Sequence, residues 1–420
     1  MARRPRHVVV AGGGPAGVGA AVAAARMGAR VTLAERYGFL GGMATVALVH
    51  PWMPFSAGDK QLVGGVLQEV INRLRTHNAY RDTTQLGHRS HCFDPELLKR
   101  VLQELLLEAG VELRLHCFVV GAKKRQNTIN GIVIESKSGR EVLRGDVVID
   151  CTGDGDVAAR AGAPCEKGRA EDGFMQPMTL HFRMARVDVP RMPPREEINR
   201  LYDAAKEAGR VQCPRENVLW FETTRDDEIH FNTTRVVEVD GTSSLDLSKA
   251  EIESRRQAWE IAEFLQREVP GFEKAYLSVT GPQIGVRETR RIMGEYVITE
   301  EDVLGARKFE DGIALASYPV DIHNPRGAGT VIRHLPPGEW YSIPYRCMVP
   351  RDVDGLLVAG RPISSTHEAH SSVRVQPTCY AMGQAAGIAA AMAAAERIPP
   401  RAVDAQAVRA EIRNQGGILE

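Results

Sequence analysis

A short β-branched run, His7 to Ala11, leads straight into Gly12-Gly13-Gly14-Pro15-Ala16-Gly17, and an alanine-rich segment follows to Met27. A second run, Arg30 to Ala34, then ends on Glu35. This order reads as strand, glycine turn, helix and strand, a βαβ unit with parallel strands. The spacing Gly12-x-Gly14-x-x-Gly17 alone is common by chance. Here a strand precedes it, a helix follows it, and an acid lies 23 residues after Gly12. In such a unit Gly12 permits the tight turn, Gly14 lets the backbone approach a pyrophosphate, and Gly17 lets helix and strand pack closely. The helix start, from Pro15, offers free N–H groups and about half a positive charge to that diphosphate. Glu35 would accept hydrogen bonds from a ribose diol and repel a 2′-phosphate. The fingerprint by itself does not separate FAD from NAD.

The rest of the chain completes a two-part plan. Residues 61–76 and 94–109 carry helical spacing, and 111–149 reads as short strands with turns at Asn130-Gly131 and Ser138-Gly139-Arg140. A charged helix is expected near 249–268, a buried strand within Gly355 to Gly360, and helices over 377–395 and 405–413. We therefore expect an α/β fold: a Rossmann-type dinucleotide-binding domain of residues 1–160 plus 346–420. An α+β substrate or cap domain, 161–345, interrupts it.

Composition excludes several classes of function. Fifty-three basic and 53 acidic residues cancel without long blocks of one sign, which argues against a nucleic-acid or anionic-membrane surface. No apolar run approaches the length of a membrane span. The basic start runs at once into the glycine turn, so it does not read as a signal peptide. Seven cysteines (92, 117, 151, 165, 213, 347 and 379) are scattered without a C-x-x-C pair, which gives no zinc, dithiol or iron–sulfur pattern. Reduced thiols in a cytoplasmic protein are expected. His88 and His91, three apart, would share a helix face, but no further ligand accompanies them and no metal is assigned.

Beyond the glycine motif, Glu35-Arg36, Gly41-Gly42-Met43-Ala44-Thr45 and Asp150-Cys151-Thr152-Gly153-Asp154-Gly155 form a series of blocks. It continues through Gly285-Val286-Arg287, Arg290-Arg291, Asp321-Ile322-His323, Ile343-Pro344-Tyr345, Gly360-Arg361 and the stretch from Thr366 to Cys379. This series resembles the FAD-dependent oxidoreductases allied to the fumarate reductase and succinate dehydrogenase flavoproteins, over nearly the whole chain. The resemblance implies FAD as cofactor, and so a glutathione-reductase-like FAD-binding domain over residues 1–160 plus 346–420. It places Gly42 and Met43 against the ribityl and pyrophosphate region, Val119 at adenine, and Thr152-Gly153-Asp154 over the cofactor. Pro15, Ala16, Arg36, Gly360, Arg361, Gln376, Thr378 and Cys379 complete the implied cofactor contacts. Many relatives carry an acid where this chain has Arg361, so the ribityl contact is unassigned. The helix from Pro377 would direct its N-terminus at the flavin edge where reduction builds negative charge.

The segment His367-Glu368-x-His370-x-x-x-Arg374 resembles the substrate-gripping His and Arg of fumarate reductase flavoproteins. Arg374 would fork a carboxylate and His370 would move a proton, with His367 beside them. Arg287 and Arg291, four apart, would share a helix face over the flavin, and Arg287 is a further catalytic candidate. Asp321 and His323 read as a relay pair or as a structural histidine. Cys379 reads as an activated thiol or as packing, and His50 gives no specific support for covalent flavin. There is no second glycine fingerprint and no haem or iron–sulfur site, so electrons exchange with a diffusible partner, oxygen or a nicotinamide.

The expected function is that of an FAD-dependent dehydrogenase or reductase, passing hydride between flavin and a small polar, carboxylated substrate. An oxidase or monooxygenase and a non-catalytic flavin sensor are the alternatives. Self-association is left open.

Overall fold

The computed structural model describes residues 6–85 and 88–420, with the backbone alone at 85, 88 and 89. The basic residues at the start, 1–5, lie outside the described residues, as does the His88 side chain.

His7–Ala11 forms the middle strand of a five-stranded sheet ordered Leu356–Val358, Val147–Asp150, His7–Ala11, Arg30–Ala34, Glu112–Arg114. Every pairing in it is parallel. A parallel sheet is covered on both faces, which is why Val8, Val9 and Val10 are all inside and the strand reads as a continuous apolar run. The strand from the C-terminal quarter pairs with Val147–Asp150, so the sheet draws on both ends of the chain.

The alanine-rich helices Pro15–Arg26 and Gln376–Glu396 pack backbone to backbone. A Cβ on Gly383 would lie 2.0 Å from the Ala16 carbonyl oxygen. Small residues at these positions set the helix spacing, and with it the height of both helix starts above the sheet.

A second hydrophobic core draws on residues between Met178 and Val286. It packs the antiparallel sheet Trp220–Glu222, Glu228–Phe231, Phe182–Ala185, Tyr276–Thr280 against helices Arg195–Glu207 and Ser244–Glu268. Ile298, Ile313, Tyr341 and Met348 belong instead to the first core.

The expected turn at Asn130-Gly131 is not there. Thr128–Ser136 is one strand, and the chain reverses before it at Gln126, whose φ is 55°. Gly131 serves close strand approach: a Cβ there would lie 2.5 Å from the Leu143 carbonyl oxygen. The charged helix begins at Ser244, ahead of the expected start, because Ser243 caps it by accepting from the Asp246 N–H. Among the described residues no helix is long and apolar enough to cross a membrane.

Candidate active site

Loops beyond the carboxyl ends of the parallel strands meet the inserted unit around a cleft of about 1360 Å³, counting its open mouth. Ligands of open α/β sheets bind at that end. One wall is the glycine turn: Gly12, Gly14, Pro15, Ala16, Glu35, Arg36, Gly42, Met43, Thr152 and Gly153 all border the space.

The three motif glycines have different jobs. Gly12 sits at φ +98°, and a Cβ there would meet the Cys151 carbonyl oxygen at 2.4 Å. A Cβ on Gly17 would lie 1.8 Å from the Gly12 oxygen, so Gly17 permits helix–strand contact and lies behind the cleft. At Gly14 the nearest atom, Gly42 Cα, is 3.7 Å away. The helix start above Gly14 has no side-chain cap. Open space beneath uncapped N–H groups is what a pyrophosphate requires.

Glu35 is buried and accepts from the Gly13 N–H at 2.6 Å and the Tyr37 N–H at 2.9 Å. Burial raises its carboxyl pKa, against those hydrogen bonds. It thus braces the glycine loop while bordering both the cleft and a smaller pocket lined by Val119, Cys117 and Phe118. That pocket, of about 330 Å³, opens where the adenine end of a dinucleotide is expected. Asp150, fully buried, accepts from the Thr152 N–H and hydroxyl and from the Ala158 N–H, and so fixes the Thr152-Gly153 loop. Burial pushes its carboxyl up to about 6. These residues fit the cofactor that the sequence implies.

Arg361 borders the cleft and pairs with Asp154 at 2.9 Å. Asp154 also accepts from the Thr289 hydroxyl, and it faces this network and not the cleft. Gly360, Gln376 and Cys379 line the cleft, whereas Thr378 is buried behind it. The Cys379 thiol donates to the Arg374 carbonyl, and burial pushes its pKa up to about 12, so it is a packing residue and not an activated thiol.

The opposite wall carries Arg287, Arg374, Tyr318, Asp321, His323, His181, Asn232 and His50. Arg287 donates to the Pro177 carbonyl (2.8 Å), the Thr179 hydroxyl (2.6 Å) and the Asn232 side chain (3.2 Å). Arg374 donates to the Gln176 side-chain oxygen at 3.4 Å, and its Nε has no hydrogen-bond partner among the described residues. All these partners are neutral. Burial lowers the pKa of both guanidiniums, and their mutual repulsion adds to the shift at Arg287. The Asp321 carboxylate on the same wall offsets part of that cost, but among the described residues neither guanidinium has a carboxylate within ion-pair distance. Both guanidiniums border the same cleft.

Several expected residues lie elsewhere. Arg287 and Arg291 share no helix face, since this segment is extended and Arg290–Ile292 is a strand. Arg291 and His367 both hold Glu288, with His367 Nδ1 2.9 Å from the Glu288 Oε1. Arg290 pairs with Asp156. His370 is fully buried, its Nε2 2.9 Å from the Arg361 carbonyl, and it does not border the cleft. The whole turn around it, Ala369 to Val373, is buried, so polarity did not mark the open face. Burial drives the His370 pKa down to about 3. His91 lies on the strand His88–Phe93, not on a helix, and no metal-binding group of His, Cys, Asp or Glu occurs among the described residues.

The sequence reading missed Tyr318, His181, Asn232 and Trp52. Trp52 donates its indole N–H to Gln376 at 2.9 Å, which seats the loop after the double glycine on the start of the long helix. Only Tyr318, three residues before Asp321, carried a local signal.

A family model described as FAD dependent oxidoreductase matches residues 7–412. No curated protein sequence matches the chain. Among solved structures, a triple mutant of the flavin-dependent brominase Bmp2 aligns at a TM-score of 0.50 and 14% identity, over 97% of this chain and 83% of that one. A geranylgeranyl bacteriochlorophyll reductase-like protein from Thermoplasma acidophilum aligns at 0.48 and 13% identity, over 98% and 85%. At 14% identity the likeness to the brominase speaks to the fold alone.

Proposed function

The chain belongs to the FAD dependent oxidoreductase family, and from that premise we propose that it oxidises or reduces a small organic anion seated against Arg287 and Arg374. Its cofactor is FAD, which when bound supplies two-electron redox chemistry by exchanging a hydride with the substrate. Gly12, Gly14 and the helix start would hold the pyrophosphate, Glu35 the adenosine ribose, and Val119 the adenine side. Gly42, Met43, Gly360 and Arg361 would lie along the remainder.

One observation carries the substrate reading: two buried guanidiniums, bonded only to neutral groups, face the cleft. A substrate carboxylate between them would add the direct ion pair that Asp321 does not make, and the planar fork of Arg374 would fix its orientation. The resemblance of the Thr366–Cys379 stretch to fumarate reductase flavoproteins supports a carboxylated substrate. Proton transfer moves from His370, which lies behind Arg361, to the cleft-lining Tyr318.

Anaerobic mixing of the FAD-loaded protein with a panel of small hydroxy- and dicarboxylates tests the reading. The expected result is flavin bleaching by at least one acid, with inactive anions competing. Turnover confined to neutral or cationic compounds, unaffected by anions, would overturn it. Oxygen consumption matched to substrate oxygenation would move the protein to the monooxygenase alternative.

A further inference from the structure

A line of side chains leaves the cleft at Tyr318 and ends outside it. Tyr318 donates its hydroxyl to Asp321 Oδ2 at 2.9 Å, and His323 Nε2 lies 3.6 Å from the same oxygen. On its other side His323 Nδ1 is 3.1 Å from the Thr330 hydroxyl and 3.2 Å from Arg235 Nη2. The Thr330 hydroxyl in turn donates to Glu216 Oε1 at 3.1 Å. Glu216 does not border the cleft, and its side chain is 31% exposed.

The backbone builds this line. Val320–His323 and Thr330–Arg333 pair antiparallel, and the register sets His323 directly opposite Thr330. The Asp321 N–H donates to the Ser371 hydroxyl, which anchors the hairpin to the His367–Val373 helix. Arg235 is a donor only, so His323 Nδ1 must accept from it, and the ring proton is left on Nε2 facing Asp321. Arg235 is itself held by Glu216 at 3.1 Å. The charged groups facing the line are Arg287, Arg215 and Arg235 toward His323 and Arg374 toward Asp321 and Tyr318. Burial and those cations, against the pull of Asp321, bring the His323 pKa down to about 3, so the imidazole rests neutral.

We infer that Tyr318, Asp321, His323, Thr330 and Glu216 form a proton conduit between the cleft and solvent, an inference that rests on reading the cleft as the substrate site. When Tyr318 gives its phenolic proton to a substrate, Asp321 passes one back to the phenolate. His323 supplies Asp321 from Nε2 and takes a proton at Nδ1 from the Thr330 hydroxyl, which turns to it from Glu216. Thr330 is refilled from Glu216, which takes its proton from water. One proton has then moved inward and no electron has moved, and a proton passed outward along the same links in the other half-reaction restores the His323 tautomer. In the opposite reaction direction the same links carry a proton out. The Asp321–His323 link is longer than a hydrogen bond, and an imidazole swing of less than about 1 Å closes it.

Two measurements on the full-length, FAD-loaded protein test this without a substrate, so they stand apart from whether an organic anion is turned over. The first follows solvent exchange of the Tyr318 hydroxyl by NMR of protein labelled at the tyrosine Cζ, with Tyr318→Phe for assignment. Thr330→Val keeps the β-branched shape and removes the hydroxyl, and should slow the exchange roughly tenfold or more, the scale of a positioned proton-transfer group. Thr330→Ser should restore it. An unchanged rate in Thr330→Val would overturn the conduit, because the proton would then pass through the cleft mouth. The second uses wild-type protein and is independent of any variant: ¹⁵N-histidine spectra should show His323 protonated at Nε2. Protonation at Nδ1 would break the line at its centre and overturn the inference.

Discussion

Gly14 and Gly17 belong to one motif, and the structure gives them separable failures. A Cβ at Gly17 would sit 1.8 Å from the Gly12 carbonyl oxygen, far inside the 3.0 Å that real Cβ atoms keep. Both partners are backbone, so Gly17→Ala must push the helix off the strand. Overpacking costs about 1–3 kcal/mol, and the absence of any side chain that could yield puts this case at the upper end. At Gly14 the nearest atom is 3.7 Å away and the backbone is extended, so Gly14→Val leaves the apo fold undisturbed. Its methyl groups instead enter the cradle below the helix start, and FAD affinity should fall by about 2–3 kcal/mol, tens- to hundredfold. Thermal melts of the apo proteins followed by FAD titration separate the two effects. Gly17→Ala should melt early, whereas Gly14→Val should melt as the wild-type apoprotein does and bind poorly. Wild-type FAD affinity in Gly14→Val would refute the placement of the pyrophosphate.

Three further outcomes follow from buried groups. Burial opposes the Glu288 charge, but the His367 hydrogen bond and the neighbouring cations outweigh it and hold the carboxyl at about 2. The stability it gives, about 3 kcal/mol, is present above the unfolded carboxylate pKa and lost as pH falls from about 4.5 to 2. Acid titration of Glu288→Gln should therefore show a lower starting stability and a flatter slope in that window, and an unchanged slope would contradict the assignment. His370→Ala removes the partner of the Arg361 carbonyl, so it should weaken FAD binding while flavin reduction at saturating FAD stays near wild type; a loss of roughly 100-fold in that step would return His370 to the chemistry. Glu35→Ala frees the N–H groups of Gly13 and Tyr37 and should weaken FAD by about 1.5–3 kcal/mol with turnover at saturating FAD nearly unchanged; full affinity in a titration would show that Glu35 does not border the ribose.

The N-terminal βαβ unit was legible because its signals agree locally: strand runs, a glycine turn, a proline at the helix start and an acid after the second strand. The strands His7–Ala11 and Arg30–Ala34 fall where their residues put them. Where reading failed, a local signal was serving a tertiary contact. Asn130-Gly131 has hairpin chemistry, yet the glycine is there for the strand beside it. Arg287 and Arg291 have helical spacing in a chain segment that stays extended between Gly285 and Ile292. His367 and His370 sit on a short helix ahead of the long one, and both are buried in it, so their polarity did not mark the cleft side. His181, Asn232 and Tyr318 come from three distant segments that only the fold brings together.

The visible spectrum of the purified protein, titrated with small dicarboxylates, bears most directly on an anion site beside the flavin. The wild type should show the bands of an oxidised flavin and a saturable change in them as the acid binds. Arg374→Lys keeps the charge but loses the fork, and should show the same bands with a clearly weaker acid affinity. A colourless protein that takes up no FAD would contradict the account, as would flavin bands that no carboxylate perturbs.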